Sequence, residues 1–243
     1  MIKSGRLAHT AAVQPLDQIQ QTHRWVCADN MCNLYSHTKG PKAIRDLAKA
    51  MGGEWKDSVG NLEPQPSIFP DQLAPVVRNN PEGGRELIKM RWGFPSPPQA
   101  KSKITTNVRN VKSNWWKPWL QEGHRCLVPV TSFCEYDWRS GKAVPTWFAQ
   151  DDTRPLFFFA GIWRSFFGER QREGGDHLVF AFLTTQPNAE VAPVHEKAMP
   201  VCLMDREARE TWLEGSVEEA LALQGPAPDG TLQIVATGSR QDS

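Results

Sequence analysis

The sequence predicts an α+β fold in one domain, with strands in the middle of the chain and helices towards both ends. The chain has 243 residues, a length that suits one large domain with a substantial buried core. Apolar and alternating segments of strand length fill residues 87 to 185, whereas helix patterns occur after residues 40 and 205. Strands and helices that are segregated in this way along the chain are typical of the α+β class.

The first helix is predicted to begin at Gly40-Pro41, because proline suits the first turn of a helix. Four apolar residues fall on one helical face before Gly52-Gly53 ends the pattern: Ile44, Leu47, Ala48 and Met51. Residues 57–86 are rich in proline and glycine, so we expect a surface segment there with one short strand at Leu73–Val77.

Apolar patterns predict the strands that follow: Leu87–Phe94, Ile104–Val108, Cys126–Val130, Pro145–Ala149, Leu156–Trp163 and Leu178–Thr185. The first alternates apolar and basic residues as a half-buried strand does. Leu156–Trp163 is almost entirely apolar, so we expect it at the centre of a sheet. Phe167–Asp176 is polar and contains glycine, and is therefore predicted to be a loop.

Two helices are predicted near the end of the chain. The first starts at Asp205 and ends near Gly215. The second follows Ser216-Val217-Glu218-Glu219, which has the signature of a capping box, and extends to about Leu223. No internal repeat accompanies these elements.

Composition excludes several classes of protein. The net charge is +1 and favours no class of partner by itself. The five cysteines form no CxxC pair, which argues against a disulfide framework and a structural zinc site, and predicts a reducing compartment. No apolar run reaches the roughly 18–20 residues of a membrane span. We therefore expect no metal, no cofactor and no membrane partner.

One charge asymmetry stands out between Leu87 and Gln121. This stretch has seven basic residues and no acidic one: Lys89, Arg91, Lys101, Lys103, Arg109, Lys112 and Lys117. Four tryptophans lie among them: Trp92, Trp115, Trp116 and Trp119. Cations for phosphates and flat rings for unstacked bases are what a groove for single-stranded nucleic acid needs. The alternative is a solvated face above core tryptophans.

Asn107, Glu135 and His195 are polar residues in apolar or strand-like surroundings. A carboxyl group such as Glu135, directly after an apolar strand, needs a partner or a raised pKa. Taken singly, such a residue more often has a structural role than a catalytic one. Cys32 adds a fourth candidate, because trimming after Met31 gives it a free α-amine.

Together these residues are arranged as in the SOS response-associated peptidase (SRAP) family, the abasic-site-processing proteins, which this chain resembles from Met31 to about Val235. The resemblance rests on the order and spacing of several motifs: Met31-Cys32, Trp92-Gly93, Asn107-Val108-Arg109, Arg125 to Pro129 before Phe133-Cys134-Glu135, Phe159 to Trp163, Thr184-Thr185, and His195 before Met199-Pro200. It implies a strongly bent, barrel-like sheet of mixed or antiparallel strands with flanking helices.

The resemblance also implies the roles of the candidate site residues. Cys32 is expected to be an N-terminal nucleophile whose amine and thiol capture the aldehyde of an abasic sugar as a thiazolidine. Asn107 is expected to hold that residue and the sugar, Glu135 to move protons at the amine, and His195 to act on the sugar oxygen. The DNA-binding residues implied are Arg109, Lys112, Trp92, Lys117 and Thr184.

This chain departs from the family in two places near the site. Asn33 and Leu34 follow the cysteine, where the family commonly has Gly-Arg. The stretch between Asn107 and Lys117 is shorter than usual, so a second phosphate-binding arginine is absent and Lys112 or Asn114 is expected to replace it. These departures concern the path of the DNA rather than the Cys–Asn–Glu–His set.

Proteins of the family begin at the Met-Cys pair, so residues 1–30 are predicted to be a disordered extension from a misplaced start, or a removed leader. The predicted domain is 31–236, followed by a C-terminal tail at 237–243. The expected partner is single-stranded DNA with abasic sites, bound by a monomer in the cytoplasm at the nucleoid. Two other functions stay open, namely a cysteine peptidase that removes its own leader and a non-catalytic single-strand-binding module.

Overall fold

The computed structural model describes residues 32–49 and 52–242, which all belong to one compact unit. The predicted extension, residues 1–30, lies outside the described residues. The strands are β1 (Tyr35–His37), β2 (Trp55–Asp57), β3 (Gln65–Ile68), β4 (Leu73–Asn79), β5 (Arg85–Trp92), β6 (Phe94–Pro95), β7 (Ile104–Thr105), β8 (Asn107–Val108), β9 (Arg125–Val130), β10 (Ser132–Asp137), β11 (Val144–Ala149), β12 (Phe157–Arg170), β13 (Glu173–Thr185), β14 (Met199–Pro200), β15 (Cys202–Leu203) and β16 (Gln233–Thr237). The α-helices are α1 (Pro41–Lys49), α2 (Arg206–Glu214) and α3 (Val217–Ala222), with short 3₁₀ helices at Lys117–Leu120 and Glu122–His124.

Five of these strands close into a barrel. The order is β13-β12-β9-β4-β5, and β5 pairs back with β13 through Arg91 beside Val179 and Trp92 beside Phe180. That last pairing is parallel, whereas the other four are antiparallel. The prediction of one α+β domain with a barrel-like mixed sheet and flanking helices is therefore confirmed.

A second sheet, in the order β16-β11-β10-β1-β3, packs on the barrel and carries part of the candidate site. Its buried side chains Tyr35 and Phe133 share one apolar core with Trp92, Phe159 and Phe182 of the barrel. The ring of Tyr35 meets that of Trp92 edge-on at 5.1 Å. Because β1 and β10 are anchored through these rings, the residues next to them are held rigidly against the barrel.

The outer face of the barrel strands forms a second core beneath the helices. Val77, Leu127 and Ile162 pack there with Trp212 of α2 and Ala220 of α3. Both helices begin as predicted. The Asp205 side chain accepts the amide proton of Ala208 at the start of α2, and Ser216 and Glu219 form the capping box of α3. These local signals need no tertiary information.

The prediction that Phe167–Asp176 is a loop is wrong, because β12 and β13 continue as a hairpin through this segment. Only Gln171 and Arg172, with φ of 49° and 70°, make the turn. Arg170 secures the tip by bonding the carboxylate of Asp71 and, at 2.9 Å, the carbonyl of Gly93. The outer residues of the two arms face solvent, which is why their polar composition looked like a loop.

The region 57–86 is also more regular than predicted. The strand at Leu73–Val77 is confirmed and extends to Asn79, and β3 adds an edge strand that tolerates Pro66. The predicted tail, in turn, is fixed to the domain as far as the structure describes it. Asp242 is buried, accepts from Arg154 at 2.7 and 2.8 Å and from Ser132 at 2.5 Å, and so joins the chain end to β10.

Candidate functional site

Four elements bring the predicted catalytic residues together. Cys32 lies just before β1, Glu135 is in β10, Asn107 opens β8, and His195 is in the connection between β13 and β14. The pairing of Tyr35 with Phe133 sets Cys32 alongside the end of β10. The parallel pairing of Asn107 with Phe182 brings β8 to the same place. Cys32 and Asn107, which are 75 positions apart, therefore meet through the sheet registers.

Cys32 is the centre of the site and is 1% exposed. Its Sγ lies 3.6 Å from the carbonyl oxygen of Leu34 and 3.8 Å from that of Cys134. Burial raises the pKa of the thiol well above its usual range, and the nearby charge of Glu135 raises it further. The thiol is consequently protonated at neutral pH and needs a base before it can act as a nucleophile.

Asn107 holds the main chain of Cys32. Its Nδ2 donates to the Cys32 carbonyl at 2.8 Å and to Thr106 Oγ1 at 2.9 Å. The other side-chain atom, Oδ1, is buried and has no hydrogen-bond partner among the described residues. Asn107 thus fixes the backbone of Cys32 and keeps one acceptor available.

Glu135 supplies a carboxyl group that is 3% exposed. Desolvation by burial raises its pKa well above the usual range, and a hydrogen bond with the Cys32 side chain lowers it in part. Oε1 has no hydrogen-bond partner in the described part of the chain. Such a group keeps its proton to a higher pH than an exposed glutamate does, and it can therefore serve as an acid.

His195 is held by its own loop. Its main-chain N–H bonds Val191 O at 2.9 Å, and its Nδ1 lies 2.7 Å from Ala198 O. Since a carbonyl oxygen only accepts, Nδ1 carries a proton. Nε2 is then free to act as a base in the neutral ring, and it is buried without a partner among residues 32–49 and 52–242.

Unpaired buried atoms mark the site as a place for a ligand. Asn107 Oδ1, Glu135 Oε1 and His195 Nε2 all lack partners in the described structure, as does Thr184 Oγ1. Thr184 follows Phe182 by two positions in β13, so its side chain is on the same face, towards the core that contains Cys32. Native proteins seldom leave buried polar atoms unpaired, so these four atoms make the site a candidate for binding a ligand.

The predicted DNA-binding residues divide into two groups. Arg109, Lys112 and Lys117 are exposed, and Arg109 lies two positions after Asn107. Gln224, which no sequence pattern signalled, bonds both Arg109 O and Thr184 O at 2.9 Å. This side-chain bridge ties the exposed cation to the wall of the site.

Trp92 does not fit the predicted contact with DNA. Its ring is 0% exposed, stacks on Phe182 at 5.2 Å, and donates from Nε1 to Thr106 O at 3.1 Å. A fully buried ring has no free face on which a base could stack. Trp92 instead supports the site through its hydrogen bond to Thr106, the residue before Asn107. Trp115, Trp116 and Trp119 likewise pack against the core, and Arg91 is paired with Glu173 at 2.9 Å.

Within the described residues, no cluster of three or more His, Cys, Asp or Glu could hold a metal ion. In the same residues, no helix is both long and apolar enough to span a bilayer.

Comparison with known proteins places this geometry in context. A family model described as SOS response associated peptidase (SRAP) matches residues 31–240. The abasic site processing protein YoqW, from Bacillus subtilis and from Bacillus phage SPbeta, is 30% identical over 162 residues, covering 63% of this chain and 68% of the relative. YoaM of Bacillus subtilis, also an abasic site processing protein, is 28% identical over 160 residues, covering 63% of this chain and 67% of YoaM.

Two solved structures share the fold. A protein from Bordetella bronchiseptica superposes with a TM-score of 0.65 at 22% identity, covering 85% of this chain and 98% of that protein. A protein from Bacteroides thetaiotaomicron gives a TM-score of 0.64 at 20% identity, with 84% and 90% covered. At such identities the likeness concerns the fold alone.

Proposed function

Because the chain belongs to the SOS response associated peptidase family, whose model matches residues 31–240, we propose that it processes abasic sites in DNA. The names of its relatives support this substrate. The observation that carries the proposal is the set of unpaired atoms on Asn107, Glu135 and His195 around Cys32. These are an acceptor, an acid and a base within one buried site.

The proposed reaction uses both nucleophiles of a terminal Cys32. Its α-amine adds to the aldehyde of the ring-opened deoxyribose, and loss of one water gives a Schiff base. The thiol then adds to the imine carbon, and its proton passes to the nitrogen, which closes a five-membered thiazolidine. No oxidant or reductant is needed. The product is a covalent crosslink between protein and DNA.

Glu135 is suited to the proton transfers of this sequence. With its raised pKa it can give a proton to the departing hydroxyl and then take one from the thiol of Cys32. His195 Nε2 is suited to accept the proton of the sugar hydroxyl as the ring opens. Asn107 keeps the main chain of Cys32 in place through the 2.8 Å bond to its carbonyl. Each role is a proposal for the geometry described above.

Single-stranded DNA is the proposed form of the substrate. A site that encloses Cys32 at 1% exposure must receive a sugar displaced from any helical stack, which costs least in a single strand. Arg109, Lys112 and Lys117 are exposed and are proposed to contact phosphates on either side of that sugar. Thr184 is proposed to contact the sugar within the pocket.

The chain numbered from Met1 gives Cys32 an amide nitrogen, which is not nucleophilic. Removal of residues 1–31, which frees the α-amine of Cys32, is thus part of the proposal. The site itself is a candidate for catalysing that cleavage. Among the described residues, Cys32 Sγ hydrogen-bonds to main-chain carbonyls and His195 Nδ1 to Ala198, rather than to each other. Glu135 is the better candidate for a group that assists cleavage before Cys32.

Intact mass tests this step on the full chain. A species that begins at Cys32 is expected from the wild-type protein and is expected to be lost in Glu135→Gln. A wild-type mass that retains residues 1–31 after prolonged incubation would show that another protein, or a downstream start, exposes Cys32.

Crosslinking tests the function itself. The protein that starts at Met31, with the methionine removed, is incubated with a single strand containing one abasic site and run on a denaturing gel. We expect a shifted, heat-stable band whose mass equals protein plus DNA minus one water. Cys32→Ala is expected to abolish the band, whereas the matched control Cys202→Ala, at a cysteine outside the site, is expected to keep it.

Reduction of the abasic aldehyde to an alcohol is the matching control on the DNA. It is expected to abolish the band, because no carbonyl is left for the amine. An equal band from Cys32→Ala, or from the reduced strand, would contradict the proposal. Strong salt-dependent binding with no covalent product from any variant would favour a non-catalytic binding module instead.

A further inference from the structure

We propose that Asn33 and Thr106 are positioning residues that fix which way the side-chain amide of Asn107 faces. This inference rests on the function proposed above and concerns the same site. An asparagine amide is nearly symmetric in shape, but one end donates and the other accepts. Its orientation therefore decides whether the pocket presents an acceptor or a donor to the substrate.

A directed chain of hydrogen bonds leads to Asn107. The Thr106 hydroxyl donates to Asn33 Oδ1 at 3.0 Å. Since that hydroxyl has a single proton, its lone pairs face Asn107, whose Nδ2 donates to it at 2.9 Å. The second proton of Nδ2 goes to the Cys32 carbonyl at 2.8 Å.

The reversed orientation of Asn107 is opposed at both contacts. Oδ1 would then face the Cys32 carbonyl, which only accepts, and the Thr106 hydroxyl, whose proton is already given to Asn33. The observed orientation leaves Oδ1 buried and unpaired among the described residues. Asn107 thus offers the pocket an acceptor, which selects a donor such as an amine or a sugar hydroxyl.

The backbone of Thr106 is itself fixed by the barrel. Its carbonyl accepts from the indole N–H of Trp92 at 3.1 Å and from the main-chain N–H of Phe182 at 3.3 Å. Trp92 and Phe182 are fully buried. Thr106 is therefore a rigid anchor, and Asn33, adjacent to the nucleophile, connects that anchor to the segment containing Cys32.

The hydrogen bonds that run from Asn107 through Thr106 to Asn33 are called the relay below, and isosteric changes at Thr106 test it. Thr106→Val keeps the shape but loses the hydroxyl, and is expected to slow crosslink formation about five- to tenfold, the worth of one hydrogen bond. Thr106→Ser restores the hydroxyl and is expected to stay within about twofold of wild type. Thr105→Val is the matched control, because the Thr105 hydroxyl pairs instead with Ser96 at 2.8 Å.

Coupling between the two residues gives a sharper outcome. Asn33→Ala is expected to resemble Thr106→Val, and the double variant is expected to be no slower than the slower single variant, since both break one chain. Additive losses, or a wild-type rate in Thr106→Val, would overturn the relay.

A readout independent of crosslinking uses the full-length protein. Proton exchange at the Asn107 side-chain amide is measured by NMR, and the bonds to Cys32 and Thr106 are expected to protect it. Thr106→Val is expected to lower that protection about tenfold, with no change in Thr105→Val. If wild type forms no crosslink but this difference is seen, the proposed function fails and the relay stands. If wild type crosslinks and the Asn107 amide is unaffected by Thr106→Val, the relay fails and the function stands.

Discussion

Nδ1 of His195 lies 3.9 Å from Oε2 of Glu135 but only 2.7 Å from the carbonyl oxygen of Ala198. The shorter contact directs the proton of Nδ1 to the main-chain carbonyl rather than to the carboxyl group of Glu135. Among the described residues no cation lies close enough to Glu135 for a hydrogen bond, and burial raises its pKa well above the usual range. We propose that the unpaired Nε2 of His195 and the carboxyl group of Glu135 act as base and acid towards the substrate.

The raised pKa of Glu135 predicts how the free energy of unfolding depends on pH. Glu135 binds its proton more tightly in the native state than in the unfolded chain, where the pKa of its carboxyl group is near 4.5. Below that pH the carboxyl is protonated in both states, so Glu135→Gln is expected to match wild type. Above it, the wild-type contribution to the free energy of unfolding falls as pH rises, and Glu135→Gln is expected to become the more stable protein.

Urea unfolding from pH 4 to 8 measures the difference between the two proteins, which is expected to widen with pH. Glu219→Gln serves as a control of opposite sign, because hydrogen bonds from Ser216 lower the pKa of Glu219. It is expected to match wild type at low pH and to be the less stable protein at neutral pH. A difference between Glu135→Gln and wild type that is constant with pH would contradict the raised pKa of Glu135.

Asn107→Leu is expected to reduce both stability and crosslinking. It removes the donor of the buried Cys32 carbonyl, and an unpaired buried carbonyl costs about 1–3 kcal/mol. Urea unfolding gives the loss of stability, and a denaturing gel gives the loss of crosslink. Asn110→Ala, at an exposed neighbour, is expected to change either quantity little. Equal effects from both variants would contradict the role given to the hydrogen bond from Asn107 to the Cys32 carbonyl.

Arg109 is expected to contribute to DNA binding, whereas Trp92 is expected to contribute to stability alone. Arg109→Ala removes an exposed cation and is expected to lower the slope of log affinity against log salt by about one. Trp92→Phe keeps a buried ring but loses its hydrogen bond to Thr106, so it is expected to lower stability by about 1 kcal/mol and leave that slope unchanged. Titration of fluorescent single-stranded DNA at several salt concentrations measures both slopes. A large change of slope in Trp92→Phe would indicate that the Trp92 ring does contact DNA.

The end of the chain is expected to contribute to stability. Asp242→Ala leaves Arg154, with 15% of its side chain exposed, without the carboxylate that now accepts two of its N–H groups. Breaking a buried pair in this way costs on the order of 3 kcal/mol, measurable as a fall in the urea midpoint. Asp152→Ala, at an exposed residue nearby, is expected to cost less than about 0.5 kcal/mol. Equal midpoints for both variants would mean that residues 237–242 are dispensable.

Much of the fold was readable from local patterns. The caps at Asp205 and Ser216 identified α2 and α3, and the apolar runs identified β9, β12 and β13, because caps and burial periodicity are properties of neighbouring residues. The hairpin tip around Gln171 was missed because its arms are polar and its stability comes from Arg170 bound to Asp71, 99 positions away. β3, too, depends on its partner β1 rather than on its own composition.

The candidate site divides in the same way. The sequence by itself determined the residue types and their order, namely Cys32, Asn107, Glu135 and His195, and through them the family. Tertiary structure alone decided that Nδ1 of His195 bonds Ala198, that Trp92 is enclosed, and that Asn33 reaches Thr106. The physical reason is that a hydrogen bond is set by distance and direction between atoms far apart in the chain, and a sequence lists donors and acceptors without saying which of them meet.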